Sequence, residues 1–278
     1  MKLKLLGAAL LAAAMAAPAY ADIAQATSGN GEFFLTVWDT NGTADGADDR
    51  SYTLDLGINL NSFASAAVVP VVNSAVVTEG YSQSWAADAL LTSFLSTANL
   101  ANVSWNVMAG DGVGAHRMAM TVSDGFSGDS NRTTAQLREW DGQMDSYLIA
   151  VNAMMTGDQT NTATYNESIV ATNADGAAFG GDSGVSFGST LGSKLDFTNA
   201  GGIGGDLAFW MFYENTTTIA EVREWQFQST GGTPGLWTLA NNGTLTYAVA
   251  PVPEAETWAM LLAGLGLVGM IARRRKVA

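Results

Sequence analysis

Residues 236–249, LWTLANNGTLTYAV, contain the clearest local structural signal in the chain. Apolar side chains alternate with small or polar ones on both sides of Asn241-Asn242-Gly243. An Asn-Gly step tolerates the positive φ angles of a tight hairpin turn. The stretch therefore predicts two antiparallel strands, Leu236 to Ala240 and Thr244 to Val249, joined by that turn.

Strand patterns of this kind recur through most of the chain. Short runs rich in aromatic and β-branched residues, bounded by turn residues, are typical of an all-β domain. The first two runs, Glu32 to Asp39 and Arg50 to Ile58, flank a turn-rich segment. The other predicted strands are Val68 to Val72, Ala75 to Ser82, Val103 to Ala109, His116 to Val122, Leu207 to Glu214 and Thr217 to Gln228. The glycine-rich segment from Asp175 to Gly205 is expected to be irregular.

Two stretches have the helical period instead. Ser84 to Ala98 places its large apolar side chains broadly on one helical face. Thr133 and Gln136 form a capping box ahead of a second stretch, in which apolar residues recur every three or four positions as far as Val151. Together with the strands, these patterns predict a mainly β body, a sandwich or jelly roll, with two amphipathic helical insertions.

The N-terminus has the pattern of an export signal. Lys2 and Lys4 precede an apolar run, and Ala19-Tyr20-Ala21 supplies the small residues that a signal peptidase accepts. We therefore expect residues 1–21 to form a signal helix that engages the Sec translocon. Signal peptidase is expected to cut directly before Asp22.

The C-terminus carries a second apolar segment. Residues 258–272 are uncharged and lead directly into the basic cluster at 273–276. A helix of this length is somewhat short for a hydrocarbon core of about 30 Å, but Trp258 at one interface and snorkelling arginines at the other compensate. The segment therefore predicts a transmembrane helix with the basic cluster in the cytoplasm and the body outside the membrane.

The stretch from Val252 to Lys276, VPEAETWAMLLAGLGLVGMIARRRK, resembles the PEP-CTERM sorting tail of bacterial proteins that are processed by an exosortase, a membrane protease. The matching positions are Val252, Pro253, Glu254, Trp258, Arg273, Arg274 and Arg275, whereas Ala255 stands where the family usually has a second proline. The resemblance implies a signal peptide at 1–21, an exported domain at 22–250 and a sorting tail at 251–278.

The same resemblance implies a route through the cell. The chain would be anchored transiently in the inner membrane with its body in the periplasm. It would then reach the cell surface or the extracellular matrix.

The body is itself similar to the uncharacterised β-rich domain often found ahead of PEP-CTERM tails, through FFLTVWD, SYTLDLGI and LWTLANNGTLTYAV. That domain has no known catalytic residues, and the family's association with exopolysaccharide and biofilms implies a noncatalytic matrix role with exopolysaccharide as a partner. The alternative is a secreted carbohydrate-binding or carbohydrate-active enzyme. Trp210, Phe212 and Trp225 would stack on sugar rings if they face outward.

Charge restricts the partners of the body. The chain has 26 Asp and Glu against 12 Lys and Arg, with a net charge of −14, and six of those basic residues lie at the two ends. An acidic body of this kind repels phosphate backbones, so no nucleic-acid partner is expected.

Catalytic patterns in the body are weak. Gly181-Asp182-Ser183-Gly184 is similar to the nucleophile loop of chymotrypsin-like proteases, and the single histidine, His116, precedes it. A triad also needs supporting context, which is missing here. We therefore predict that His116 lies on a strand surface and that the chain is not an enzyme. One histidine and no cysteine exclude the common zinc sites.

The segment between the first two predicted strands is the best candidate for a metal site. Asp39, Asn41, Asp45, Asp48 and Asp49 crowd it together with glycines, and they offer the hard oxygen ligands that Ca²⁺ favours. A structural calcium site and a simple solvated hairpin loop both fit this pattern. No other cofactor is expected.

Overall fold

The computed structural model describes residues 22–42, 46–71, 74–123, 125–128, 132–155, 167–181, 197–215, 221–251, 260–265 and 267–268. Within them, eleven strands form one curled antiparallel sheet with the shape of a half-barrel. The prediction of a mainly β body with helical insertions is confirmed.

The strands follow one another along the chain from Glu32 to Val249. They are β1 (Glu32–Asp39), β2 (Arg50–Asn59), β3 (Val68–Val71), β4 (Ser74–Val77), β5 (Ser82–Trp85), β6 (Val103–Asp111), β7 (Arg117–Val122), β8 (Ser168–Thr172), β9 (Gly201–Gly202), β10 (Asp206–Glu214), β11 (Val222–Gln226), β12 (Gly235–Leu239) and β13 (Leu245–Val249). The helices are α1 (Leu60–Ala67), α2 (Ala89–Thr97) and α3 (Thr134–Met155). Single 3₁₀ turns or short 3₁₀ helices lie at Ala26–Ser28, Gly46–Asp48 and Asn173–Ala178.

The main sheet has the strand order β5-β13-β12-β10-β7-β6-β1-β2-β8. Two short strands attach beside this path, because β11 pairs with β10 and β9 pairs with β6. Strands β3 and β4 form a separate hairpin. All pairings are antiparallel, so neighbouring strands place their ends together at the two rims of the sheet.

The hairpin predicted around Asn241-Asn242-Gly243 is present. Gly243 has a φ of 83°, and its N–H donates to the carbonyl of Ala240 at 2.8 Å. This turn places Trp237 opposite Tyr247, with ring centroids 5.1 Å apart and both side chains fully buried. The local signal in the sequence therefore sets the register of a central aromatic pair.

Strand β1 lies between β2 and β6 and is buried on both faces. Phe33, Leu35 and Val37 pack in one core, whereas Phe34 packs in a second core on the opposite face. The first core contains side chains of α1 and α2, including Phe63, Leu91 and Phe94. The second lies under α3 and contains Leu137, Trp140, Met144 and Leu148. Helices thus cover both faces of the curled sheet.

The first predicted helix begins later than expected. Ser84 and Trp85 belong to strand β5, and the helix begins only after Asp88, whose Oδ1 accepts the N–H of Leu91 at 2.6 Å. Trp85 stacks on Trp237 at 5.4 Å and donates its indole N–H to the carbonyl of Leu56. Tertiary contacts of Trp85 therefore hold this stretch in the sheet despite its helical period.

The second predicted helix is confirmed. The capping box forms as expected, because the backbone N–H of Thr133 donates to Gln136 Oε1 at 2.9 Å and that of Gln136 donates to Thr133 Oγ1 at 3.3 Å. Helix α3 then continues beyond Val151 as far as Met155.

Other boundaries differ from the sequence prediction. Helix α1 and strand β8 were not predicted, and within the glycine-rich segment Gly201–Gly202 forms β9. The expected strand from Ala75 to Ser82 ends at Val77, because Gly80 adopts a φ of 72° in a turn. The strand expected from Thr217 is described only as β11, since residues 216–220 lie outside the described part of the chain.

Candidate functional site

Five titratable side chains meet where α3 packs on the ends of β6, β7 and β10. We call His116, Asp111, Asp141, Asp145 and Glu214 the His116 cluster. Asp111 ends β6, Glu214 ends β10 and His116 directly precedes β7. Asp141 and Asp145 lie one helical turn apart on α3. Antiparallel pairing of the three strands brings their ends to one rim, where the helix adds its two carboxyl groups.

His116 connects the strands to the helix. Its Nδ1 lies 2.6 Å from Asp141 Oδ2. Its backbone N–H donates to Glu214 Oε2 at 3.2 Å, and its carbonyl accepts the N–H of Glu214 at 2.8 Å. Asp145 in turn accepts the backbone N–H groups of Ala26 at 2.7 Å and Thr27 at 3.1 Å.

Two arginines form ion pairs with two carboxylates of the cluster, Asp111 and Glu214. Arg117 Nε donates to Asp111 Oδ2 at 2.8 Å, and its Nη2 donates to Asn61 Oδ1 at 2.6 Å. Arg138 Nη2 donates to Glu214 Oε1 at 2.5 Å. Asp141 has neither arginine as a partner in these bonds, so neither guanidinium stabilises its ionised form.

The cluster holds two carboxyl groups in opposite protonation states. Burial, together with the charges of Asp145, Asp111 and Glu214, raises the pKa of Asp141 to about 9. Asp141 therefore carries a proton at neutral pH. Burial alone would raise the pKa of Glu214, but hydrogen bonds from Arg138 and from the His116 backbone outweigh that effect and lower the pKa. Two neighbouring carboxyl groups whose pKa values are shifted in opposite directions can act as an acid and a base.

The two carboxyl groups with shifted pKa values, Asp141 and Glu214, are nearly buried. The side chains of Asp141 and Glu214 are only 5% and 8% exposed, whereas His116 is 19% exposed. The expectation that His116 is a strand surface residue is therefore wrong, because its ring is bonded to a helix carboxyl group. The signal that could have revealed this was the placement of Asp141 and Asp145 within the apolar stripe of α3.

The protease-like pattern lies mostly outside the described residues. Gly181 is described, but Asp182, Ser183 and Gly184 lie outside the described residues. The serine that would make His116 part of a triad therefore lies outside the part of the chain that the structure describes.

Side chains of the predicted calcium loop form hydrogen bonds within the loop and to the backbone of Asn99 outside it. Asp39 is buried, and its two oxygens accept the backbone N–H groups of Asn41 at 2.8 Å and Asn99 at 3.1 Å. Asn41 donates from its side chain to Asp48 at 3.0 Å. Asp49 follows the 3₁₀ turn Gly46–Asp48, and Asp45 lies outside the described residues.

No ion-binding arrangement stands out in the described ranges of the chain. Among them, no group of three or more His, Cys, Asp or Glu side chains is placed to hold a metal ion. The calcium site therefore stays a prediction from the sequence.

The aromatic residues considered for sugar stacking are mostly core residues. Trp210 and Phe212 are buried in the second core, where Phe212 stacks on Phe197 with centroids 5.3 Å apart. Trp225 is partly buried against the first core and lies 5.9 Å from the ring of Tyr213. Trp210 and Phe212 are thus not available as a stacking platform for a sugar.

The C-terminal segment presents apolar side chains to its surroundings. Residues 260–265 and 267–268 are helical, and Leu261, Leu262 and Leu265 are each more than half exposed. Exposed apolar surface of this kind is typical of membrane or partner contacts. Residues 251–276 match the PEP-CTERM protein-sorting motif. The predicted PEP-CTERM tail is thereby confirmed, and the motif indicates an exported protein that a membrane protease, an exosortase, sorts.

Most residues of the two terminal signals lie outside the described part of the chain. This holds for Val252, Pro253, Glu254, Trp258 and Arg273 to Arg275 of the PEP-CTERM tail, and for Ala19 and Ala21 of the expected cleavage site. Asp22 is described and exposed. Over the described ranges, the helices are too short or too polar to cross a membrane, and the predicted span at 258–272 is described only in part.

The body of the chain finds no named counterpart. No curated protein and no solved structure matches the chain.

Proposed function

We propose that this chain is a noncatalytic surface or extracellular-matrix protein that exosortase releases after export. Its body serves as a stable exported module, with exopolysaccharide as the matrix partner. The observation that carries this proposal is the PEP-CTERM motif at 251–276, placed behind a β-rich body and an N-terminal export pattern. In this scheme the Sec translocon and signal peptidase act first. The intermediate is then anchored in the inner membrane with its body in the periplasm until exosortase cuts it.

The packing of the body supports a structural role. Helices cover both faces of the sheet, and the large aromatic side chains pack in two cores. The carboxyl groups of Asp141 and Glu214 are nearly buried and are bonded to neighbouring side chains. A well-packed body with a large negative net charge remains soluble and repels nucleic acids.

Fractionation of cells that carry exosortase tests the sorting scheme. The native chain should give a shortened, released form, detected with an antibody to the body. Replacing Pro253 and Glu254 by Ala should leave full-length protein in the membrane, whereas replacing Arg273, Arg274 and Arg275 by Gln should weaken membrane retention and orientation. A native chain that stays full length in the membrane would contradict the proposal. The same host without exosortase is the control.

A carbohydrate-active enzyme is the second candidate, because one observation favours it. Protonated Asp141 and ionised Glu214 belong to one cluster, and glycoside hydrolysis uses two carboxyl groups in such different states. If this candidate is correct, the exported protein should release reducing sugars from bacterial exopolysaccharide. Asp141→Asn and Glu214→Gln should each abolish that release. No release by the native chain would favour the matrix role.

A further inference from the structure

The first residues after the expected cleavage site pack against α3 and β6. We call residues 23–31 the N-terminal strap. Ile23 is 1% exposed, Ala26 is fully buried, and both belong to the second core. The strap passes so close to the end of β6 that a Cβ atom on Gly31 would lie 2.2 Å from the carbonyl oxygen of Gly110. The N-terminal strap is therefore part of the folded body.

Two polar side chains of α3 bind the backbone of the strap. Asn152 accepts the N–H of Ile23 through Oδ1 at 3.1 Å and donates from Nδ2 to the Ile23 carbonyl at 3.0 Å. Asp145 lies about two turns earlier in α3 and accepts the N–H groups of Ala26 at 2.7 Å and Thr27 at 3.1 Å. Both side chains are 6% exposed. One buried face of the helix thus holds the strap at two points.

The sheet side of the body bonds to further backbone groups of the strap. The N–H of Ala24 donates to Glu32 Oε2 at 2.8 Å, and the Ala24 carbonyl accepts the N–H of Glu32 at 2.9 Å. The carbonyl of Ala26 accepts the N–H of Gly112 at 2.8 Å. The N–H and carbonyl groups of Ile23, Ala24 and Ala26 are therefore all bonded within the body.

These bonds lie directly beside the expected cut. If signal peptidase cuts before Asp22, Ile23 and Ala24 are the second and third residues after that bond. A protease binds several residues on each side of the bond that it cuts, in an extended conformation. Burial and hydrogen bonding of that backbone therefore decide whether a segment can be cut. Asp22 is exposed, but the backbone of the next two residues is already bonded elsewhere.

We propose that docking of the N-terminal strap hides the cleavage site from signal peptidase, so that cutting has to come before the second core is complete. This inference rests on the proposed function, because it takes the chain to be exported and cut before Asp22. A precursor that has already folded is cut only when the strap leaves α3. The rate of cutting then follows the fraction of molecules in which the strap is open.

The full-length precursor in a mild detergent tests this without any substitution. It is unfolded in urea and diluted into refolding buffer, and near-UV circular dichroism reports when packing is complete. Purified signal peptidase is added either at the start of refolding or after its end, and mass spectrometry follows the product that begins at Asp22. We expect late addition to give cutting at least about tenfold slower than early addition, because only the open fraction is cut.

Asn152→Ala tests the role of α3. It removes both bonds to Ile23 and lies 129 positions from that residue, so recognition of the unfolded precursor stays unchanged. We expect the folded variant to be cut about tenfold faster than the folded native precursor, since two hydrogen bonds of the docked strap are lost. Ser146→Ala, at an exposed position of the same helix, is the matched control and should be cut at the native rate.

The comparison of early and late addition uses the native chain, so it decides the question even where Asn152→Ala fails to fold. Equal rates of cutting in the two arms would overturn the inference. Equal rates for the folded Asn152→Ala and native precursors would also contradict it, because the bonds from α3 would then not control access to the cleavage site.

Failure of the export scheme gives a different result. A precursor that signal peptidase leaves intact even at the start of refolding, or cuts at another bond, would contradict the predicted cleavage site. That part of the proposed function would then be wrong, and this inference with it. Rapid cutting before Asp22 in the early arm and slow cutting in the late arm would support both.

Discussion

Nδ1 of His116 lies 2.6 Å from Oδ2 of Asp141, so one hydrogen bond joins the start of β7 to the middle of α3. The bond spans 25 positions of sequence and connects the sheet to the helix that covers its second core. Because Asp141 titrates, the attachment of α3 depends on pH.

The first prediction concerns that dependence. Burial and neighbouring carboxylates raise the pKa of Asp141 to about 9. A carboxyl of the unfolded chain titrates near about 3.9, so from there upward the folded chain holds a proton that the unfolded chain has lost. The free energy of unfolding therefore falls as pH rises, by up to about 1.4 kcal/mol per pH unit.

Asp141→Asn removes this titration while retaining an acceptor for His116. We expect the variant to lose less stability than the native chain from about pH 5 to about pH 8, measured by urea unfolding at each pH. Parallel stability curves for the two proteins would show that Asp141 is ionised in the folded state, contrary to the prediction.

The second prediction concerns Phe63 on α1. The centroid of its ring lies within 5.8 Å of four other ring centroids, those of Phe33, Phe209, Phe227 and Tyr247. Phe63→Ala leaves a cavity at the centre of the first core, and we expect a loss of about 3–5 kcal/mol in the free energy of unfolding. Val113→Ala, at a side chain that is 57% exposed, is the matched control and should change stability little. A small effect of Phe63→Ala would mean that α1 does not pack as described.

The third prediction concerns Asp88, which caps α2 and joins it to the sheet. Its Oδ1 accepts the N–H of Leu91 at 2.6 Å, and its Oδ2 accepts hydrogen bonds from the hydroxyl groups of Tyr52 at 3.0 Å and Ser168 at 2.5 Å. Asp88→Ala should cost about 2 kcal/mol or more, because it removes the cap and a half-buried acceptor of two hydroxyl groups. Asp88→Asn keeps the capping oxygen and should cost less. Equal losses in chemical denaturation would show that the cap contributes little.

The fourth prediction concerns calcium at the Asp39–Asp49 loop. If the loop binds the ion, millimolar Ca²⁺ should raise the melting temperature of the chain through selective binding to the folded state. Asp45→Asn with Asp48→Asn should remove that increase, whereas Glu79→Gln should not. Identical melting curves of the native chain in calcium and in chelator would leave a solvated hairpin loop as the correct interpretation.

The fifth prediction concerns Ala255 in the sorting tail. This alanine stands at the position of the family's second proline, and proline keeps the preceding residue out of helical conformation. Ala255→Pro should therefore keep the cleavage segment extended and increase the fraction of released protein in a host with exosortase. Ala255→Gly serves as a control for a change of size alone. Slower release by Ala255→Pro would show that alanine is the better residue here.

Local patterns accounted for much of the fold. The hairpin at Asn241-Asn242-Gly243, strand β1 and the capping box at Thr133 and Gln136 were all predicted from neighbouring residues. Each depends on interactions within a few positions, so their physics is already present in a short stretch. The missed helix α1 is different, because Phe63 is held there by rings from distant strands.

The sequence by itself determined the β class and the PEP-CTERM tail, because alternation, turn residues and a basic cluster after an apolar run are properties of consecutive residues. Only the tertiary structure decided which carboxyl groups are buried together. Asp55 and Glu167 meet because β2 is close to the segment before β8, and Ile23 meets Asn152 across 129 positions. The pKa values of buried carboxyl groups depend on desolvation and on charges from distant parts of the chain. Both effects arise only in the folded sheet.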